Sequence, residues 1–346
     1  MNDPRISIAM TTYNGGKYLK DQLDSVLSQT VLPFEIVICD DGSTDGTVDI
    51  LKEYETNWEG LIHVYQNKYN LGWADNFLKA AGLCAGDWVC FSDQDDVWYE
   101  DKIEKIQEII KRDLDGVVLI AHSADVVDEN LRPLGHRMPD FKRAAIIDPN
   151  KRHGFKAYLG FSMAFSRRLI TDYTWTRRPR SYCPLVTTER PHDVWVHTLA
   201  NALGSTYVIP QSLAAYRRHG GVETGACDKR GVVRRVGDSR HVGTEHYRYL
   251  ADVAHEFSLV LQDLSSEAMN SVVAEKLSHS SQLYNKLSRV MRVRSQLYGS
   301  EARSGKAKAI VENILMGGYF GSPFYSMGWR SLLKDIWNLV EGSVVI

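Results

Sequence analysis

The sequence predicts an α/β fold in which a mostly parallel central sheet is flanked by helices and is followed by a helical C-terminal region. Over the first 125 residues, apolar runs of strand length alternate with segments of helical periodicity. From about residue 244 onward the sequence has helical propensity throughout. We therefore expect an α/β domain over residues 1–225 and a mainly helical region over residues 226–346.

The first βα unit is the clearest. Residues 5–12 and 35–39 are apolar runs of strand length, and between them residues 19–27 repeat leucine and valine on one helical face. The same reasoning predicts strands at 61–65, 87–92 and 116–122, and helices at 47–54, 73–81 and 103–110. Right-handed crossovers between such units place helices on both faces of a parallel sheet.

Later segments are less regular. Residues 130–190 are rich in arginine, proline and aromatic residues, so we expect loops and a mixed edge of the same sheet, with residues 155–165 apolar enough for a strand. Further predictions are a helix at 192–203, a strand at 212–216 and helices at 244–264, 267–297 and 301–316. The tail ends in an amphipathic helix with two tryptophans, which more often caps a core than lies on a membrane.

Composition excludes several classes. The 346 residues are 44% hydrophobic and 24% charged, which excludes disorder or a coiled coil for the bulk of the chain. Apolar runs such as residues 117–121 are far shorter than the roughly 20 residues that cross a bilayer, and no signal peptide is visible. The five cysteines form no Cys-x-x-Cys pair, so we expect a reducing, cytoplasmic location.

Charge is distributed unevenly along the chain. Residues 1–130 hold 10 Lys+Arg and 25 Asp+Glu, whereas residues 131–346 hold 31 and 18. Two explanations stay open: the halves complement each other, or the basic part meets an anionic acceptor or a membrane surface. Candidates for such contacts are Arg217, Arg218, Arg234 and Arg235. We expect no nucleic acid partner.

Acidic residues collect after two predicted strands. Residues 40–45 read Asp-Asp-Gly-Ser-Thr-Asp, which by itself is more typical of an Asp/Gly-rich turn with a helix N-cap than of a site. Asp93, Asp95 and Asp96 place three carboxylates within four residues, an oxygen-ligand density that suits Mg²⁺ or Mn²⁺. The Gly-x-Gly-x-x-Gly and Walker phosphate loops are both absent, which leaves a metal bridge as the expected diphosphate anchor.

Seven motifs together resemble family 2 glycosyltransferases of the GT-A fold, a Rossmann-like fold. The resemblance covers residues 5–225, and the run from Asp93 to Trp98 is similar to the bacterial rhamnosyltransferase branch. The motifs are Thr11-Thr12-Tyr13-Asn14-Gly15, Gln29-Thr30, Asp40-Asp41-Gly42-Ser43-Thr44-Asp45, Asn70-Leu71-Gly72, Ser92-Asp93-Gln94-Asp95-Asp96-Val97-Trp98, His192-Asp193-Val194-Trp195 and Tyr216-Arg217-Arg218-His219.

The resemblance implies a role for each matching position on the donor side. Tyr13 would stack on the nucleotide base, Asp41 would bond its imide edge, and Thr11 would add backbone contacts. Asp93 would meet the ribose or the metal shell. Asp95 would ligate a Mg²⁺ or Mn²⁺ ion that bridges the diphosphate, with His219 completing the metal site.

It also implies the roles on the acceptor side. Asp193 would be the catalytic base, although the family's usual Glu-Asp pair is His192-Asp193 here. Trp98 and Trp195 are candidates to contact the acceptor sugar, but tryptophan more often packs. Alternatives also stay open elsewhere: Tyr13 as a sheet-edge core residue, Asp193 as a helix-dipole charge and His219 as a surface histidine.

The chemistry agrees with this interpretation. Transfer from a nucleotide sugar builds charge on the departing diphosphate, while the acceptor hydroxyl must lose a proton to a base on the opposite face of the sugar. One displacement by such a base predicts inversion at the anomeric carbon.

We therefore expect an inverting transfer of sugar, with dTDP-L-rhamnose as the favoured donor, to a saccharide or lipid-linked saccharide in bacterial surface polysaccharide synthesis. A UDP-hexose donor is the alternative. A sugar-1-phosphate nucleotidyltransferase and a non-catalytic sugar-nucleotide-binding module are the rivals from other classes, and the chain lacks the Gly-rich opening of the former.

Overall fold

The computed structural model describes residues 3–179, 191–219, 243–299 and 302–341. The chain divides into two compact units: Met1–Pro149 with Ala157–Thr176 and Pro191–Val222, and Asn150–Lys156 with Arg177–Arg190 and Glu223–Ile346. Cys183, Cys227, Arg234 and Arg235 lie outside the described residues.

The first unit is built on a ten-stranded mixed sheet. Its strands are β1 (Ile6–Thr12), β2 (Glu35–Asp40), β3 (Ile62–Gln66), β4 (Trp88–Ser92), β5 (Val97–Trp98), β6 (Val117–Val127), β7 (Pro133–Arg137), β8 (Ala145–Ile147), β9 (Met163–Ser166) and β10 (Ser205–Arg217). Its helices are α1 (Leu19–Leu27), α2 (Thr47–Asn57), α3 (Trp73–Leu83), α4 (Lys102–Lys111), α5 (Arg168–Thr171) and α6 (His192–Leu203).

The strand order is β3-β2-β1-β4-β9-β6-β10-β5, with β7 beside β6 and β8 beside β10. Strands β1 to β4 are mutually parallel where they pair, as the βα alternation predicts. The apolar side chains of β1 and β2 are buried against Leu19, Leu23 and Val26 of α1, which confirms the helical face that the sequence indicated. The α/β prediction is thus confirmed.

The expectation for residues 155–165 is wrong in two ways. The strand begins only at Met163, after a short 3₁₀ turn over Gly160–Ser162. It also lies inside the sheet rather than at its edge, because β9 pairs antiparallel with both β4 and β6. Such a short apolar strand, with Met163, Ala164 and Phe165 fully buried, carries no sequence signal of its neighbours.

The second unit is helical over its described part. It contains α7 (Thr244–Glu267), α8 (Ser271–Leu297), α9 (Arg303–Leu315) and α10 (Trp329–Glu341). The helix predicted at 267–297 begins four residues later, at Ser271, because Asn270 is its N-cap. Asn270 Oδ1 accepts hydrogen bonds from the backbone N–H groups of Val272 and Val273 at 2.9 and 3.2 Å. None of the described helices has the length and apolarity needed to span a bilayer.

The interior of this unit combines aromatic packing with one buried ion pair. The Tyr284 ring stacks on Phe257 at 5.1 Å and meets Phe324 edge-on at 4.9 Å. Arg294 of α8 donates to Asp335 of α10 at 3.0 Å, and the two side chains are 6% and 0% exposed. The prediction that the tail helix caps a core is only partly met, because much of the apolar surface of α10 is exposed.

Candidate active site

The loops that follow β1, β2 and β4 meet at one edge of the sheet. These three strands are adjacent and parallel, and they end at Thr12, Asp40 and Ser92. Ligands of open α/β sheets bind at this carboxyl edge, because loops there converge on a crevice. The acidic motifs of the sequence therefore lie around one place.

Asp40 serves the turn that it begins. Its carboxylate accepts hydrogen bonds from the Thr12 hydroxyl at 2.9 Å and from the backbone N–H groups of Gly42 and Ser43 at 3.1 and 2.9 Å. The capped-turn alternative for this motif is thus correct for its first aspartate.

Asp41 is held by the loop that precedes α3. Its buried carboxylate accepts hydrogen bonds from Asn67 Nδ2 at 2.7 Å, from Leu71 N at 2.8 Å and from Gly72 N at 2.9 Å. The Asn70-Leu71-Gly72 motif of the sequence is therefore adjacent to Asp41. This arrangement fixes both carboxylate oxygens at the edge of the sheet.

Tyr13 presents its ring to solvent. It is 52% exposed, which excludes the alternative of a sheet-edge core residue, whereas Thr11 before it is buried in β1 opposite Cys39. Both polar groups of the Tyr13 backbone form hydrogen bonds with the Gln94 side chain. Tyr13 N donates to Gln94 Oε1 at 2.9 Å, and Gln94 Nε2 donates to Tyr13 O at 3.1 Å. Sequence reasoning gave Gln94 no role of its own.

Gly15 permits this contact between the two loops. A Cβ at position 15 would lie 2.0 Å from Gln94 Oε1, closer than any real contact. A glycine four residues before the first predicted helix is the available signal, but only the structure identifies what approaches it.

The Asp95 and His219 side chains are in direct contact. His219 Nε2 lies 2.7 Å from Asp95 Oδ2, which brings the last motif of the first unit to the acidic turn after β4. Asp96 points the other way: it is buried and its Oδ1 accepts the backbone N–H of Arg217 at 3.0 Å. Burial and the charges of Asp95 and Asp93 hold the pKa of Asp96 well above its usual range.

Asp93 and Asp193 both have raised pKa values. Burial, followed by the charges of Asp95 and Asp193, raises the pKa of Asp93 to about 7. Asp193 itself accepts the Val194 N–H at 2.7 Å, as a residue in the first turn of a helix does, and burial raises its pKa to about 6.

Lys102 is a buried lysine that contacts Trp98, the last residue of the acidic motif. The side chain is fully buried, and burial lowers its pKa to about 7. Its Nζ donates to Phe161 O at 2.9 Å and lies 3.4 Å from the centre of the Trp98 ring. No sequence signal distinguished this lysine from the exposed ones on the same helix.

The prediction that Arg217 contacts an acceptor phosphate or a bilayer is wrong. The residue is 3% exposed, so it does not reach either of them. Its guanidinium instead bonds Asp21 Oδ2 at 2.9 Å and the backbone oxygens of Asp95 and Glu129 at 2.7 and 2.8 Å. Arg217 therefore fixes the loop that carries Asp95.

Trp98 and Trp195 are 2% and 1% exposed, which does not support their expected contact with an acceptor sugar. His192, the position that departs from the family's glutamate, also packs: its ring stacks on Phe77 at 4.1 Å and meets Phe91 edge-on at 4.6 Å. The residues of α6 from His192 to Ala202 are thus buried, except Asp193, which is partly exposed.

Asp95 and His219 are the candidate ligands for a divalent cation. Within the described part of the chain, no cluster of three or more His, Cys, Asp or Glu side chains is arranged to hold a metal. Asp95 and His219 nevertheless supply two adjacent donors, and Mg²⁺ usually takes one or two carboxylates and completes its shell with water and substrate phosphates. The residues fit a cation that arrives with a diphosphate.

Residues 7–173 match the family model described as glycosyl transferase family 2. This segment of the chain carries a family 2 glycosyltransferase domain. Asp193 and His219 lie beyond the matched segment, so their assignment depends on the geometry above.

Two of the relatives are named as bacterial glycosyltransferases. The chain is similar to the Shigella flexneri dTDP-rhamnosyl transferase RfbG, with 39% identity over 99 residues that cover 28% of this chain and 34% of that protein. It is 42% identical to the putative teichuronic acid biosynthesis glycosyltransferase TuaG of Bacillus subtilis over 107 residues, covering 31% and 42% of the two chains. The chain therefore spans less than half the length of these relatives.

Solved structures share the fold. S. aureus TarS 1–349, in a crystal structure with UDP-GlcNAc, superposes with a TM-score of 0.54 at 15% identity and covers 97% of this chain and 90% of that one. The uncomplexed form gives 0.51. The GT-A architecture that the motifs implied is thereby confirmed.

Proposed function

We propose that this glycosyltransferase moves a sugar from a nucleoside diphosphate to a saccharide hydroxyl, with inversion, in bacterial surface polysaccharide synthesis. One observation carries the proposal: His219 Nε2 lies 2.7 Å from Asp95 Oδ2, at the edge of the sheet where the loops after β1, β2 and β4 meet. An unrelated acidic turn would not combine these groups with an exposed aromatic ring at the same sheet edge.

The nucleoside would bind at the ends of β1 and β2. The exposed Tyr13 ring offers a flat apolar face for the base, and the fixed carboxylate of Asp41 is an acceptor for a base N–H. Thr11 would contribute backbone contacts and Asp93 would meet the ribose. The rigid anchoring of Tyr13 by Gln94 supports this part of the proposal.

Asp95 and His219 would hold a Mg²⁺ or Mn²⁺ ion, with Asp93 in its surroundings. When bound, such an ion stabilises negative charge on a leaving diphosphate. The chain itself holds the two ligand atoms, Asp95 Oδ2 and His219 Nε2, 2.7 Å apart. Arg217 supports this arrangement through its hydrogen bond to the Asp95 carbonyl.

Asp193 would act on the acceptor. Its carboxylate takes the proton of the acceptor hydroxyl while that oxygen bonds to the anomeric carbon and the bond to the diphosphate breaks. Because attack and departure occur on opposite faces in one step, the anomeric configuration inverts. A raised pKa suits this base, since it brings its proton affinity closer to neutral pH.

For the donor we favour dTDP-L-rhamnose, because the acidic turn resembles the rhamnosyltransferase branch and a relative is named a dTDP-rhamnosyl transferase. A UDP-hexose donor is the second candidate, since a protein of the same fold binds UDP-GlcNAc. We assign the transfer chemistry to residues 1–225, acting in the cytoplasm on a saccharide or lipid-linked saccharide.

The test is to measure donor hydrolysis and transfer by the full chain with dTDP-L-rhamnose, UDP-glucose, UDP-galactose and GDP-mannose, with Mn²⁺ and with EDTA. We expect turnover of one donor, loss of turnover with EDTA, and recovery when Mn²⁺ is restored. Release of pyrophosphate from a sugar phosphate plus a nucleoside triphosphate would instead indicate a nucleotidyltransferase.

Asp193→Asn separates catalysis from binding. General-base catalysis contributes about 10²- to 10⁴-fold, so the variant should lose that much turnover while its donor affinity stays within about threefold. Glu129→Gln is a matched control, because Glu129 is an exposed carboxylate whose side chain pairs with Lys17. Full turnover by Asp193→Asn would contradict the proposed base.

A further inference from the structure

The last helix, α10, has large apolar side chains on its exposed side as well as on the side that packs inward. Its inward residues Leu332 and Leu339 pack against the cluster around Leu297 and Ile310. Its large outward side chains are between 40% and 65% exposed. They are Trp329, Leu333, Ile336, Trp337 and Val340, and together they are called the α10 apolar face.

These five residues form one stripe. Positions 329, 333, 336 and 340 follow the i, i+4, i+7, i+11 spacing of a single helical face, and position 337 is adjacent to it. Eleven residues of helix give the stripe a length of roughly 16 Å. Clustered exposed apolar side chains of this kind mark an interaction surface, whereas scattered ones do not.

Exposed cations accompany the α10 apolar face. Arg330 is exposed and its guanidinium lies 5.5 Å from the Trp329 ring. On the neighbouring helix α9, Arg303 and Lys308 are exposed, and Arg303 donates to Val340 O at 3.3 Å, which places it at the far end of the stripe. On α10, Asp335 is buried and Glu341 is the last residue; Glu312 of α9 is an exposed anion.

We propose that the α10 apolar face lies on the surface of an anionic phospholipid bilayer. Tryptophan and aliphatic side chains on one face, with lysine and arginine beside them, are the composition of an interfacial helix. The positive surroundings complement anionic headgroups, where each nearby cation adds about 1 kcal/mol. Tryptophan also suits this boundary, because its ring is apolar and its N–H can meet water.

A second copy of this chain fits the face less well. A twofold contact would place the same patch against itself, bringing Arg330 and its neighbours of both copies together. A stripe of five side chains is also small beside the roughly 800 Å² that each partner buries in a stable dimer. The proposal does not depend on the proposed transfer reaction.

Flotation of the full chain with vesicles tests the proposal. We expect it to bind vesicles of phosphatidylcholine with 30% phosphatidylglycerol, to bind phosphatidylcholine alone at least fivefold more weakly, and to lose binding as salt increases. Leu333→Glu should lower the partition coefficient at least tenfold. Leu259→Glu is the matched control, because Leu259 on α7 is 52% exposed against 56% for Leu333, and it should change binding less than twofold.

A measurement on the unaltered chain covers the case in which Leu333→Glu does not fold. Brominated phosphatidylcholine in the same vesicles should quench part of the tryptophan fluorescence, and the double change Trp329→Phe with Trp337→Phe should remove that quenching. Absence of flotation, or equal loss in both glutamate variants, would overturn the proposal. So would self-association that Leu333→Glu abolishes without any vesicle binding, which would identify a second copy as the occupant.

Discussion

Adjacent aspartates in the acidic motifs do different work. Asp40 caps its own turn while Asp41 binds the loop before α3, and Asp96 receives a backbone N–H from Arg217 while Asp95 faces His219. Within each pair the two carboxylates therefore have different partners, so neighbours in the sequence do not share one role.

The pKa of Asp193 leads to a pH prediction. A base works only when it is unprotonated, so turnover at saturating donor should be complete well above pH 6 and should fall as the pH is lowered through about 6. An exposed aspartate would place that limb near pH 4. Initial rates between pH 4 and 8 check this, with donor binding measured over the same range. A limb near pH 4 would contradict it.

Gln94 should act through Tyr13. Gln94→Ala removes two hydrogen bonds that fix the Tyr13 backbone, each worth about 1 kcal/mol, so KM for the donor should rise roughly five- to thirtyfold while kcat changes less. Gly15→Ala should have a similar effect, because its Cβ displaces the Gln94 amide. Steady-state kinetics check this, with the exposed Gln262→Ala as control. An unchanged KM would show that Tyr13 needs no such anchor.

Between elements, one buried ion pair joins α8 to α10. Asp335 accepts from Arg294, from the Tyr298 hydroxyl at 2.7 Å and from the Tyr319 hydroxyl at 2.7 Å, so every bond to it crosses from another part of the unit. A buried charge of this kind holds a helix in one register, because any shift leaves the carboxylate unpaired. It also keeps the α10 apolar face turned outward.

Arg294→Met should therefore destabilise the helical unit. Removing one member of a buried pair costs about 3 to 5 kcal/mol, which corresponds to a decrease in Tm of roughly 10 °C. Arg292→Met is the matched control on the same helix, because Arg292 and its partner Asp252 are 60% and 65% exposed and such a pair is worth at most about 1 kcal/mol. Thermal melting followed by circular dichroism checks both; equal Tm values would contradict the argument.

At the scale of the whole molecule, acidic and basic residues are segregated along the chain. The first 130 residues carry the acidic turn of the proposed cation site, whereas the exposed cations beside the α10 apolar face belong to the basic part. Opposite net charges suit different partners: a cation with its sugar nucleotide for the first unit, and an anionic surface for the helical unit.

This separation predicts different effects on two acceptors. Leu333→Glu should leave KM for a water-soluble saccharide acceptor unchanged, because Leu333 lies in the helical unit and outside the proposed site. For a lipid-linked acceptor in phosphatidylglycerol vesicles, KM should rise about tenfold, since the enzyme no longer concentrates at the surface. Comparison of the two acceptors checks this, and an equal change for both would contradict it.

The sequence by itself determined the α/β class, the elements β1 to β4 with their helices, and the motifs that the site contains. Those features are local: periodicity, turn residues and spacing are present within ten or twenty residues. Tyr13, Asp41, Asp93, Asp95, Asp193 and His219 could be proposed as site residues because each stands in such a motif.

Only the tertiary structure decided what lies next to what. It placed β9 inside the sheet, gave Gln94 and Lys102 their partners, buried Trp98, Trp195 and Arg217, and turned the tryptophans of α10 outward. The reason is physical: burial and charge interactions depend on neighbours that are distant in the chain, and the same tryptophan or arginine suits a core or a surface until those neighbours are present.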